Sequence, residues 1–120
     1  MKAILKEIYS LEIDIELSKY IPEEMDFFEI VIRLMIGPKN EDGADSFDIT
    51  VCSAKWISEK CQYGNQVWGK SLLIVDKYDY IEILNSIESK INTLSEESWS
   101  KLAIELSRFF EWEFESYRIL

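Results

Sequence analysis

The feature that most constrains the fold of this chain is an alternating run from Phe27 to Ile36, followed by a turn cluster and a second alternating run. One parity of the first run is entirely apolar and the other is half apolar, which favours a central strand of a sheet. The residues from Gly37 to Gly43 include two glycines, a proline and an asparagine, which is typical of a turn. From Ser46 to Cys52 the apolar residues again alternate with polar ones. The sequence therefore predicts two antiparallel strands joined by an acidic loop.

The rest of the chain predicts a further set of short strands and helices. A strand is expected near the N-terminus. A second, wholly apolar strand is expected at Leu72 to Val75, and it is expected to be buried. Three helices are expected, with Ser53, Asp79 and Ser95 as N-caps, and the first of them ends near Gln62. The apolar residues expected to face inward from the first strand are Ala3, Leu5, Tyr9, Leu11 and Ile13, and those of the two longer helices are Tyr80, Leu84, Ile87 and Ile91, then Trp99, Leu102, Leu106 and Phe109.

A last strand is expected from Glu111 to Tyr117, where acidic and aromatic residues alternate. Strands come mainly first and helices later, so the predicted fold class is α+β. We expect a mostly antiparallel sheet of about five strands, with two longer helices and one short helix packed on it. With 120 residues, the chain is expected to form a single domain over residues 1–120.

The composition argues for binding rather than catalysis. The chain has no histidine, and its formal net charge is −10 at pH 7. Histidine is the side chain that titrates near neutral pH and the commonest metal ligand, so triads and histidine-bearing zinc sites are excluded. An acidic surface repels nucleic acid and anionic membranes and attracts basic proteins. We therefore expect a protein partner, and neither nucleic acid nor a membrane.

The cysteines and the N-terminus indicate a reduced, cytoplasmic protein. Cys52 and Cys61 are too few for a disulfide framework, and they lack partners for a zinc site, so they are expected to be free thiols, with a disulfide as the minor alternative. No apolar run is long enough to span a membrane, and Lys6 and Glu7 interrupt any signal-peptide core. We expect no metal and no cofactor.

One stretch imitates a nucleotide-binding motif. The residues from Gly64 to Ser71 match the phosphate-loop pattern G-x-x-x-x-G-K-[ST], and Asp76 follows an apolar run. A true phosphate loop follows a strand and opens a helix, whereas this one is expected to follow a helix and open a strand. The expected role is a turn before a strand, and nucleotide hydrolysis is the minor alternative.

The acidic loop imitates a calcium site. When Gly43 is aligned with the glycine of an EF-hand, the first ligand position becomes Pro38 and the last becomes Ile49. Neither residue supplies a side-chain oxygen. A solvated turn is therefore the expected structure.

The stretch from Ser46 to Trp56, SFDITVCSAKW, resembles the immunity protein eight family of bacterial polymorphic toxin systems. The similarity includes Ile36 to Lys39, Trp68 to Lys70, Leu73 to Tyr80 and Trp112 to Glu115, so it covers nearly the whole chain. Ala54 stands where the family often has proline. The resemblance implies a small cytoplasmic α+β protein that binds the C-terminal domain of a cognate toxin and blocks it, with no catalytic residues.

The expected toxin contacts lie outside the predicted strands and helices. Acidic residues are the first candidates, because many such toxins are basic nucleases, and opposite charge accelerates association. An exposed tryptophan is the second, because tryptophan is a frequent hot-spot residue. The candidates are Glu23, Glu24, Asp26, Glu41, Asp42, Asp45 and Trp68. The alternative for each acidic residue is an ordinary solubilising charge.

Two other function classes stay open at this point. An acidic adaptor or DNA-mimic protein would bind several basic nucleic-acid proteins rather than one toxin. A nucleotide-binding enzyme would be stabilised by nucleotide through Lys70. The oligomeric state does not follow from the sequence.

Overall fold

The computed structural model describes residues 1–114, and these form a sheet with helices packed on it. The strands are β1 (Ala3–Tyr9), β2 (Glu29–Pro38), β3 (Asp45–Ser53), β4 (Leu72–Val75) and β5 (Glu111–Trp112). The helices are α1 (Ala54–Lys60), α2 (Tyr80–Asn92) and α3 (Trp99–Leu106), with short 3-10 turns at Leu17–Lys19 and Gln62–Gly64. The predicted α+β class is confirmed.

The sheet is built around β2 and β3. β2 pairs antiparallel with β1 on one side and with β3 on the other, so the prediction of a central strand is confirmed. The far edge of β3 is shared: β4 pairs with it in parallel at Thr50–Ser53, and β5 pairs antiparallel at Phe47 and Asp48. The sheet is therefore mostly antiparallel with one parallel pair.

The core lies between one face of the sheet and helices α2 and α3. From β2 and β3 it receives alternate residues that include Leu34, Ile36, Phe47 and Val51, all with no exposed surface. From the helices it receives Ile83, Ile87, Ile91, Leu102, Ala103 and Leu106. The predicted stripe of α2 is rotated, because Ile83 is buried whereas Tyr80 and Leu84 lie at the border of the core. Removing these side chains from water is the main stabilising contribution to the fold.

The first strand departs from simple alternation. The register with β2 shifts between Leu5 and Glu7, where the strand carries a bulge. A bulge adds one residue and reverses the parity of the residues after it, so Ile8 packs against the core. The strand ends at Tyr9, and the expected inward residue Leu11 is 71% exposed. Alternation read from sequence cannot detect this inserted residue.

Serine side chains form the N-caps of α1 and α3. Ser53 is the predicted cap of α1, and its Oγ accepts the backbone N–H groups of Trp56 and Phe28 at 3.2 and 3.3 Å. The helix ends at Lys60 rather than at Gln62. The cap of α3 is Ser98, whose Oγ accepts the N–H of Lys101 at 3.3 Å, and not Ser95. Ser95 instead donates its hydroxyl to the carbonyl of Met1 at 3.3 Å, and this hydrogen bond holds the N-terminus against the segment before α3.

β4 is an edge strand rather than a buried one. It pairs with β3, and the helices cover one face of the sheet, so Ile74 on the opposite face is 50% exposed. The last predicted strand is shorter than expected, since β5 ends at Trp112, and residues 115–117 of that prediction lie outside the described residues. Among residues 1–114, the structure contains no helix long and apolar enough to cross a bilayer.

Candidate functional site

A groove of about 670 Å³ lies at the N-terminal end of α2. It is formed by the segment before β2, the end of β4, the connection to α2 and the first two turns of that helix. Its walls consist of Met25, Asp26, Val75, Asp76, Lys77, Tyr78, Asp79, Glu82, Ile83 and Ser86. Two segments about fifty residues apart in the sequence therefore meet in one depression.

Tyr78 holds the two sides of the groove together. Its backbone N–H donates to the carbonyl of Met25 at 2.7 Å, and its ring is 4% exposed. The ring meets those of Tyr20 and Phe28 edge to face, with centroids 5.5 and 5.3 Å apart. Burial raises the pKa of Tyr78 to about 12, so the phenol stays neutral under physiological conditions. Tyr78 therefore forms the buried base of the groove, next to Asp76 and Asp79 in the sequence.

The groove is negatively charged. Its lining contains four carboxylates, Asp26, Asp76, Asp79 and Glu82, and one lysine, Lys77. Asp79 caps α2, since its Oδ1 accepts the N–H of Glu82 at 3.2 Å. The dipole of α2 places partial positive charge at this end and offsets part of the negative charge. What remains is a concave acidic surface that complements a basic, convex partner.

The structure brings one group of the predicted contact residues to this groove. Asp26 lies in its wall, and its carboxylate makes a 3.5 Å ion pair with Lys55 in which both side chains are largely exposed. Such an exposed pair contributes little to stability. Glu23 and Glu24 are exposed and immediately precede Met25 of the wall.

Sequence reasoning missed the other three acidic residues of the groove. Asp76 resembled part of a nucleotide motif and Asp79 was assigned only the role of a helix cap. The signal that was available is their regular spacing, because Asp76, Asp79 and Glu82 follow one another at intervals of three. That spacing spans a loop and a helix start, so periodicity alone does not predict a shared surface.

The predicted hairpin acids lie at the opposite end of β2. Glu41 and Asp42 are exposed at the tip of the β2–β3 hairpin. Because β2 has ten residues, this tip lies about 30 Å from the groove end of the strand. Lysines surround the tip: Lys6 Nζ donates to the carbonyls of Glu41 and Gly43 at 2.6 and 2.8 Å, and Lys2 and Lys39 line a neighbouring depression.

Asp45, unlike the exposed acids of the hairpin tip, is hydrogen-bonded within the fold. It is the first residue of β3, half-buried, and its Oδ2 accepts the indole N–H groups of Trp99 and Trp112 at 3.1 and 3.0 Å. This carboxylate therefore links β3 to α3 and β5. Charge-assisted hydrogen bonds of this kind are stronger than neutral ones.

The remaining predicted contact, Trp68, lies in the connection between the second 3-10 turn and β4. Its side chain is 92% exposed. Since β4 runs parallel to β3 and begins opposite Thr50, this connection reaches the edge of the sheet at the middle of β3. Trp68 is therefore an exposed aromatic residue outside the acidic groove.

One ion pair on the open face of the sheet joins β2 to β3. Arg33 Nε and Nη2 donate to the two carboxylate oxygens of Asp48 at 2.9 and 3.1 Å. This hydrogen bonding raises the pKa of Arg33 further above its ordinary value. Each partner compensates the charge of the other.

The nucleotide-like motif has the wrong structural context, as its sequence surroundings predicted. The residues from Gly64 to Ser71 follow a 3-10 turn and open strand β4, with Ser71 at φ 50°. A phosphate loop instead opens a helix, whose first backbone N–H groups point at the phosphate. Within residues 1–114, no three Cys, Asp or Glu side chains are arranged to hold a metal ion.

These features define a class: a small acidic α+β protein with a charged concave surface suited to binding another macromolecule. Comparison with family models identifies the member of that class. The model described as Immunity protein 8 matches residues 3–117, so the chain belongs to this family and is an immunity protein of toxin systems. Such proteins are in general not enzymes. Comparison with curated proteins and with solved structures finds no match for the chain.

Proposed function

We propose that this chain binds one cognate toxin domain directly and neutralises it in the cytoplasm, with the acidic groove as the surface that receives the toxin. The observation that carries the proposal is the concave wall containing Asp26, Asp76, Asp79 and Glu82. Four carboxylates around one depression give a field that is stronger than that of the same charges scattered on a convex surface. The whole chain acts as one binding unit.

The toxin that fits this surface is basic, and a nuclease is the class that best meets this requirement. A nuclease carries Lys and Arg to bind the phosphate backbone, and these residues present the charge that the groove complements. Opposite charges raise association rates well above the roughly 10⁵–10⁶ M⁻¹s⁻¹ of neutral pairs. Rapid capture is what a protein needs in order to intercept a lethal enzyme. The same charge disfavours binding to nucleic acid or anionic membranes.

The groove is favoured over the hairpin tip. A standard interface buries about 800 Å² on each partner, which corresponds to a patch about 30 Å across. The groove and the tip are separated by the length of β2, so both cannot lie at the centre of one such patch. Around the tip, three lysines (Lys2, Lys6 and Lys39) stand against Glu41 and Asp42, whereas at the groove Lys77 and Lys55, the partner of Asp26, stand against four carboxylates.

Two double variants with equal net charge test this placement. Asp76→Asn with Glu82→Gln removes two charges from the groove, and Glu41→Gln with Asp42→Asn removes two from the hairpin tip. Association and dissociation rates with the toxin domain encoded beside this gene are measured at low and at physiological salt. We expect the groove variant to lower kon by about 3- to 10-fold at low salt, and the hairpin variant to change it less than about 2-fold.

The outcomes separate the parts of the proposal. A larger effect from the hairpin variant would move the contact surface to the other end of β2. Equal rates for all variants at both salt concentrations would remove electrostatic steering from the account. Absence of binding by the wild-type chain, together with capture of several unrelated basic proteins, would favour the acidic-adaptor alternative.

A further inference from the structure

We propose that the exposed loop from Cys61 to Lys70, called the aromatic loop below, is the arm that anchors the toxin by inserting Trp68 and Tyr63 into a concave apolar pocket of the toxin domain. This inference rests on the proposed function, and it assigns retention of the toxin to a surface different from the acidic groove.

The aromatic loop displays large side chains with little contact to its own protein. All ten of its residues are exposed, with Tyr63 at 96% and Trp68 at 92%, and Val67 at 41% adds apolar surface between them. Tryptophan and tyrosine are the residue types most enriched at the energetic centres of protein interfaces. Since these side chains contribute little to the core of their own fold, their burial against a partner would supply new binding energy.

The aromatic loop is also free of acidic residues. No Asp or Glu occurs between Glu59 and Asp76, which is the longest such stretch in a chain with 23 acidic residues. The centre of a protein interface is typically depleted of Glu and Asp and enriched in aromatic residues, whereas the charges lie at the rim. The distribution of charge therefore separates a steering surface from an anchoring surface.

The backbone holds the loop in a defined shape. Tyr63 has φ 58° and ψ 31°, and Gly64 follows with φ 79°. The left-handed region costs a non-glycine residue about 1–2 kcal/mol, and the exposed ring of Tyr63 recovers little of that cost by packing. Within the loop, the N–H of Asn65 donates to the carbonyl of Gln62 at 3.1 Å and closes one turn, and just after the loop the carbonyl of Ser71 accepts the N–H of Thr50 at 2.9 Å. A shape fixed before binding loses less entropy on association.

The form of the loop specifies the form of its partner surface. Two aromatic side chains on an exposed loop bury most of their area in a concavity, as long antibody loops do when they enter clefts. Insertion of Trp68 into such a pocket would hold the toxin domain on the chain.

Dissociation rates test the anchor. The variants Trp68→Ala and Tyr63→Asn remove the two rings, and asparagine tolerates the left-handed conformation at position 63. Leu11→Ala is the control, because Leu11 is a large apolar residue, 71% exposed, outside the loop. We expect Trp68→Ala to raise koff about 30-fold or more, Tyr63→Asn to raise it with no loss in Tm, and Leu11→Ala to leave it unchanged.

A second readout locates the contact. Hydrogen exchange of the toxin domain is compared in its complexes with the wild-type chain and with Trp68→Ala, both at saturating concentration. We expect protection of the residues lining the toxin's apolar pocket to be lost in the variant complex. If the wild-type chain binds and Trp68→Ala leaves both koff and this protection unchanged, the anchor is disproved while the proposed function stands. If the wild-type chain does not bind, the proposed function itself fails.

Discussion

At the scale of single residues, Asp45 illustrates how a surface charge becomes part of the fold. Its carboxylate accepts indole N–H groups from Trp99 and Trp112, which lie 54 and 67 residues further along the chain. In the sequence it is one of several acids near the hairpin, and none of its neighbours indicates the contact. The contact depends on α3 and β5 arriving beside the start of β3, which is tertiary information.

We expect Asp45→Ala to destabilise the protein by about 1–3 kcal/mol, because two indole N–H groups lose a charged acceptor. Chemical denaturation measures the change in the free energy of unfolding. Asp42→Ala is the matched control, since Asp42 is an exposed acid of the same hairpin and its loss should cost less than about 0.5 kcal/mol. Equal stability of the two variants would contradict the structural role of Asp45.

At the scale of elements, the sequence predicts best where one face of a strand is buried without interruption. β2 and β3 were predicted with their inward residues because alternation and burial coincide over their length. The prediction failed for β1, where a bulge reverses the parity, and for the start of α3, where two serines compete for the cap. It failed for the burial of β4, because composition does not reveal which strand lies at an edge.

The β2–β3 hairpin also depends on a close backbone approach. The turn was predicted to start at Gly37, but Gly37 is buried within β2 and lies against the backbone of Gly43. A Cβ at position 37 would overlap the carbonyl oxygen of Gly43, which is backbone and has little freedom to move. Glycine is therefore required here by space, as is common where two backbones meet within a strand.

We expect Gly37→Ala to destabilise the fold by about 2 kcal/mol or more, because the hairpin must shift to admit the methyl group. Gly69→Ala is the control, since a Cβ there would meet Leu72 Cδ2 at an ordinary 3.7 Å. Thermal and urea unfolding of both variants measure the difference. Wild-type stability for Gly37→Ala would show that the hairpin accommodates the extra carbon.

At the scale of the whole molecule, the charges that sum to −10 are unevenly distributed over the surface. The groove at the start of α2 concentrates carboxylates, the hairpin tip mixes them with lysines, and the aromatic loop contains none. The sequence indicated an acidic protein and the residues near Asp26, but the groove requires residues 25–26 and 75–86 to meet. That meeting follows from the packing of Tyr78, which no local pattern predicts.

The central claim is that this chain binds a toxin domain directly, and a calorimetric titration against the C-terminal domain of its candidate cognate toxin tests it. We expect one-to-one binding with a Kd on the order of nanomolar or below, weakened when salt is raised from low to physiological concentration. No heat and no complex at either salt concentration would contradict the claim.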